Sequence, residues 1–163
     1  MPSLADLPNS SRCRVLTPDP ILDVASGADL LNALDKLFTQ FTREDRITTW
    51  ACAVEHGGAA LVLAWTPEVA LSGCSHDKIN RLLLHHEDQT GRKLLTPPPL
   101  VIQVDGAWRC TDRAGLRTHA STATPLIDAR IEQLGAWRER GLITVGVSWA
   151  ASLLTRPTPV SPT

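Results

Sequence analysis

Apolar residues first recur at helical spacing in Leu30, Leu31, Leu34, Leu37, Phe38 and Phe41. That stripe predicts a helix over about residues 27–42, with Ser26 as its cap and Asp29 three residues on completing a capping box. The pattern then changes period. Ile47 to Glu55 and Ala59 to Trp65 read as strands, joined at Gly57-Gly58, a pair suited to a turn that requires positive φ. The second run is apolar at every position, which predicts a central strand covered on both faces. Helical spacing returns in Ile79, Leu82, Leu83 and His86 and predicts a second helix over about 74–89, stopped by Gly91. Leu100 to Val104 and Ala107 to Cys110 flank Asp105-Gly106, the clearest hairpin turn in the chain.

Shorter elements fill the remainder. Arg12 to Leu16 reads as a short strand, cut off by Thr17-Pro18-Asp19-Pro20, where each proline removes a backbone donor. A short helix is expected from Thr111 or Asp112 to His119, a strand over Pro125 to Ile131 and a helical stretch from Gln133 to Arg140. Leu142 to Val147 reads as a last strand and Ser148 to Leu154 as a terminal turn or helix. Residues 1–11 are polar and read as an extended or frayed, flexible arm. Pro97-Pro98-Pro99 reads as a stiff connector, and residues 155–163 as a disordered, proline-rich tail. The expectation is one α+β domain over 12–154: a mainly antiparallel sheet built from hairpins, with two principal helices packed on it. Regular βαβ alternation is missing.

Composition narrows the function classes more than it selects one. At 163 residues the chain suits a single domain with a real core, and its formal net charge of −1 comes with scattered Lys and Arg. No basic footprint for nucleic acid or an anionic membrane surface is present, so neither partner is expected. Met1 to Asp6 lacks a basic stretch followed by an apolar one, and no apolar run approaches the ~20 residues that span a bilayer. Cys13, Cys52, Cys74 and Cys110 lie far apart with no C-x-x-C pair, which fits free thiols in a reducing cytoplasm.

Candidate chemistry gathers at Ser72-Gly73-Cys74-Ser75-His76-Asp77, where the second helix begins. Nucleotide motifs of the G-x-x-x-x-G-K-[ST] and G-x-G-x-x-G kinds do not occur, nor does a G-x-S-x-G elbow. A metal within the helix fails on geometry. His76 and His85 point to roughly opposite faces, and Cys74 and His85 share a face about 16 Å apart along the axis. No metal is expected within this helix, a site assembled with the distant Cys110, His119 or His56 stays open, and no cofactor is expected. Cys74 follows a glycine in the first turn, where exposed N–H groups and the dipole favour a thiolate. Lys78 would add to that effect and Asp77 would oppose it, while His76 and Asp77 offer an acid/base pair. The structural alternative is that Ser72 or Ser75 caps the helix, Gly73 allows a sharp turn and Cys74 packs as a small apolar residue. Amide donors from Ser72 to Ser75, with Lys78, could instead hold a small anion. The five tryptophans look like core anchors, with Trp149 the best placed for a surface or interface, and Arg138-Glu139-Arg140 looks like a solvated face.

An apolar strand from Leu61 to Trp65, then Ser72-Gly73-Cys74-Ser75-x-Asp77 opening a helix, then a terminal Ser148-Trp149, resembles a family of uncharacterised bacterial proteins of about this length. Some members carry the label "ABC transporter ATPase", which this chain does not support, since it has no nucleotide-binding motif. The resemblance spans about Arg12 to Leu154 and implies no established activity. It implies that the segment around Cys74 is a shared feature. The chain departs from the family in its proline-rich linker and its tail. Three functions stay open: a non-catalytic binding or protein-interaction module, able to pair with an unknown protein or with itself; a thiol enzyme or redox sensor at Cys74; and an anion site at the start of the second helix.

Overall fold

A computed structural model describes residues 2–67, 70–96 and 99–155. The expected connector at 97–98 and the tail from 156 onward lie outside the described residues. Among the described residues seven strands form two antiparallel sheets, so the expected α+β architecture is present with its strands divided between two layers. The first sheet contains β1 (Arg12–Leu16), β2 (Thr49–Glu55) and β3 (Ala60–Thr66) in the order β1-β3-β2. The second contains β4 (Leu100–Val104), β5 (Ala107–Thr111), β6 (Pro125–Ile127) and β7 (Leu142–Thr144) in the order β5-β4-β6-β7.

β3 occupies the centre of its sheet, and Ala60 to Trp65 are all buried. Its side chains alternate between two cores. Leu61, Leu63 and Trp65 pack with the buried stripe of α1 (Val24–Arg43) and with Ile79 and Leu83 of α2 (Gly73–Thr90). Ala60, Val62 and Ala64 join Val101 of β4 and Ile127 of β6 in a second core between the sheets. A third core on the far face of the second sheet unites Leu100, Ile102 and Leu126 with Leu116 of α3 (Arg113–His119) and with Val145 and Ala150. The order of layers is therefore helices, sheet, sheet, helices.

The long helices follow their sequence signals. In α1, Leu30, Leu34, Phe38 and Phe41 are fully buried, and the Phe38 ring lies 5.4 Å from that of Trp50. Each such burial stabilises by about 1.5–3 kcal/mol. This helix starts three residues before the expected point, because Asp23 rather than Ser26 is the cap, its carboxylate accepting from the Ser26 amide at 2.8 Å. Ser72 caps α2 and Gly91 closes it with φ 70°, as the sequence pattern requires. The Asp105-Gly106 turn has positive φ at both residues, 53° and 77°, matching the twist of its strands.

The expectation for residues 1–11 is corrected. Leu4 and Leu7 are buried in the core between the sheets, within a segment that includes a 3₁₀ turn over Leu4–Asp6. Arg138 of α4 (Leu134–Arg140) anchors it, donating to the Leu7 carbonyl at 2.8 Å and to the Leu4 carbonyl. Two apolar residues too short for any periodicity carried this contact. The strand expected over Pro125 to Ile131 stops at Ile127, and that over Leu142 to Val147 stops at Thr144. The pairing reaches one residue further at each end, with the Val145 amide donating to the Thr124 carbonyl and the Asp128 amide to that of Gly141, and a 3₁₀ turn over Val145–Val147 then ends β7.

Two sites allow stability tests, the Gly57-Gly58 turn and His86. At Gly58, φ is 97° and an added Cβ would stand 2.0 Å from the Leu22 carbonyl oxygen, whereas Gly57 has φ 63° and open space. Gly57→Ala should therefore cost about 1–2 kcal/mol from its backbone conformation alone, and Gly58→Ala clearly more, read as urea midpoints. On α2, the Nε2 of His86 is shut off from solvent and has no hydrogen-bond partner among the described residues. Burial, then the Arg92 charge and neighbouring His85, hold this imidazole below its usual range, with Asp29 pulling the other way. Protonation thus favours the unfolded chain, so this contribution is intact above the ordinary histidine range and is lost as pH falls below it. Melting temperature should drop between pH 7 and 5.5, and His86→Gln should flatten that drop.

Candidate functional site

The six-residue segment folds as a capped helix start. Ser72 Oγ accepts from the Ser75 amide at 3.2 Å, and the Ser75 hydroxyl is buried, accepting from Arg46 at 2.8 Å. Lys78 is drawn to Glu44, 3.6 Å away, and lies 6.0 Å from the centre of the Phe41 ring. Ser75 and Lys78 therefore tie α2 to the end of α1, while Ser72 caps α2 itself. Gly73 has open space around it and an ordinary helical φ. Cys74 and Asp77 are exposed, and no hydrogen bond links Cys74 to His76 or Asp77 among the described residues.

Of the segment's residues only His76 reaches a described cavity. It enters a cleft of about 380 Å³ that is also lined by Arg12, Arg14, Trp65, Arg130 and Glu132. The strand pattern explains the arginines. In β1, Cys13 and Val15 turn toward the core between the sheets, so Arg12 and Arg14 share the opposite side. The outer edge of β1 is lined by residues 131–133. The Cys13 amide donates to the Glu132 carbonyl at 3.0 Å, and Arg12 bridges to Gln133. Ile131 is buried there, which leaves Arg130 and Glu132 facing solvent on either side of it.

Charge in this cleft is unbalanced. Arg14 is half-buried and donates to Asn80 Oδ1 of α2 at 2.9 Å, but no carboxylate pairs with it among the described residues. Burial lowers the pKa of its guanidinium from the usual value. Arg12 likewise forms no ion pair among the described residues, while Arg130 contacts Asp128 at 3.3 Å. A second cavity of about 370 Å³ shares Arg12, Arg130, Ile131 and Glu132 with the first and adds Gln133 and Arg140.

The remaining cysteines and cavities offer less chemistry. The Cys13 thiol lines the cleft, yet it is buried, points to the Ile131 carbonyl at 3.8 Å and is pushed up to about 11 by burial. Burial also raises Cys52 strongly, and burial with the Asp19 charge raises Cys110 to about 12. Cys110 faces the largest cavity described, about 840 Å³, beside Asp19, Arg113 and Trp149, and donates to the Pro18 carbonyl at 3.3 Å. Among the described residues no group of three His, Cys, Asp or Glu side chains could hold a metal ion, and no helix is long and apolar enough to cross a membrane.

Sequence reasoning passed over Arg12, Arg14, Arg130 and Glu132. The available signal was an Arg-x-Arg alternation inside a short strand whose other residues are apolar. Arg140, read as part of a solvated face, borders the second cavity, whereas its neighbour Arg138 anchors the N-terminal segment. Comparison of the chain with protein-family models, with curated proteins and with solved structures returns no match.

The thiols differ in accessibility in a way that labelling reads directly. In the native protein a maleimide should modify Cys74 first, with Cys13 and Cys52 protected until denaturant is added. Cys74→Ser should remove the fast phase.

Proposed function

We propose that this protein is a non-catalytic binding domain of the bacterial cytoplasm, whose ligand is a small anion held in the cleft between β1, the first turn of α2 and residues 130–132. The observation that carries this reading is Arg14: a half-buried guanidinium lining the cleft, with an amide oxygen but no carboxylate as partner among the described residues. Burying part of a cation costs free energy unless charge or hydrogen bonds offset it, and a bound carboxylate or phosphate would do so bidentately. Arg12, Arg130 and His76 line the same space and present further donors.

Binding is favoured over thiol chemistry in the cleft because Cys13, which lines it, is buried and held protonated. The cytoplasmic setting fits four free cysteines, one of them exposed. The bacterial setting follows the resemblance carried by the Ser72 to Asp77 segment and Ser148-Trp149. The anion reading keeps the start of α2 as part of the site but moves its centre from the amides of Ser72 to Ser75 to the arginines of β1.

Calorimetric titration with inorganic phosphate and with acetate tests this at low ionic strength. One of the two should bind the wild type, and Arg14→Ala should weaken it by about 1.5–3 kcal/mol, the usual worth of a charged hydrogen bond. Cys74→Ser should leave the affinity unchanged. Absence of binding by either anion, or wild-type affinity in Arg14→Ala, would sink the proposal.

A further inference from the structure

The cleft has two lobes, and their linings differ in an informative way. Arg14 and His76 belong to the first lobe alone and Arg140 to the second alone, while Arg12, Arg130 and Glu132 border both. Each lobe, of about 380 and 370 Å³, thus has an arginine of its own, and a shared pair of arginines stands where the two adjoin. Four arginines line this path against Glu132, and of the four only Arg130 has a carboxylate partner among the described residues, Asp128 at 3.3 Å. A single phosphate or carboxylate bound by Arg14 would leave Arg140 without an anionic partner.

Resting on the reading above, we infer that the ligand carries at least two linked anionic groups of the phosphate class, one held in the Arg14 lobe and the other in the Arg140 lobe, with Arg12 and Arg130 clamping the link between them. Guanidinium groups suit this task because their fixed forks match phosphate oxygens two at a time, and successive phosphates present such oxygens at short, regular intervals. Neither lobe needs a helix terminus or a glycine-rich loop, so the recognition differs in kind from nucleotide-binding motifs, which this sequence lacks.

The probes are inorganic phosphate, pyrophosphate and tripolyphosphate, titrated into the full chain at one fixed ionic strength. Tripolyphosphate should bind at least about tenfold more tightly than phosphate, the least that one further charged contact is expected to add. Arg140→Ala should remove most of that gain while leaving phosphate affinity unchanged, and Arg14→Ala should weaken both. Arg43→Ala, an exposed arginine near the end of α1, removes the same charge far from the cleft in sequence and should change neither affinity. Equal affinity for phosphate and tripolyphosphate overturns the two-group inference, as does an equal loss in Arg43→Ala and Arg140→Ala. If phosphate then still binds in an Arg14-dependent manner, the simpler anion reading survives. Failure of all three probes to bind overturns the inference, and the anion reading then rests on acetate alone.

Discussion

The burial of β3 on both faces is the constraint on which the other layers depend. A strand apolar at six successive positions cannot leave either face in water without exposing large apolar area. Its alternation then assigns the partners. Leu61, Leu63 and Trp65 need deep side-chain packing, which the Leu and Phe stripe of α1 and the Ile79-Leu83 face of α2 supply. Ala60, Val62 and Ala64 are short, and on their side the second sheet supplies Val101 and Ile127. Because that sheet buries one face against the first, its other face needs its own cover, and α3 with the final turns provides it.

The arginine cleft arises at the boundary of this scheme. β1 pairs with β3 along its inner edge, and its outer edge is occupied only in part, by Glu132 and Gln133. On the side opposite Cys13 and Val15, Leu16 still packs into the helical core, whereas Arg12 and Arg14 extend past its margin. Arg14 reaches α2 through Asn80, and His76 lies one turn nearer the start of the same helix. The cleft is thus a corner where helix, strand edge and loop meet, built from residues that the core does not need. Such a corner can vary its charge with little effect on the fold, which is where binding groups are commonly found.

The segment Ser72 to Asp77 illustrates how a chemically suggestive string can be mostly architectural. Ser72 accepts from the Ser75 amide, Ser75 receives Arg46, and Lys78 just past the segment meets Glu44. These contacts join the start of α2 to the end of α1, and that junction sets the position of His76 relative to β1. The contribution of the segment to the cleft is therefore mainly orientation, with His76 as its one direct wall.

Much of the architecture was legible in the sequence because it rests on local periodicity. The 3.6-residue stripes of α1 and α2, the all-apolar β3, the positive-φ turn at Asp105-Gly106 and the Gly91 stop are each dictated within a few residues of chain. Tertiary structure alone decided the rest, for reasons of distance along the chain. Leu4 and Leu7 pack into the core between the sheets, and Arg138, more than a hundred residues away, holds their carbonyls. The division of strands into two sheets follows from which face of β3 each side chain covers, a pairing that no local pattern encodes. Arg14 and His76 line one cleft only because β1 pairs along the edge of β3 while α2 packs on the face of β3 that carries Leu61, Leu63 and Trp65. The sequence by itself determined which residues must be buried and where the chain must turn. Folding decided which charged residues, left over at the margin of that burial, came to face one another.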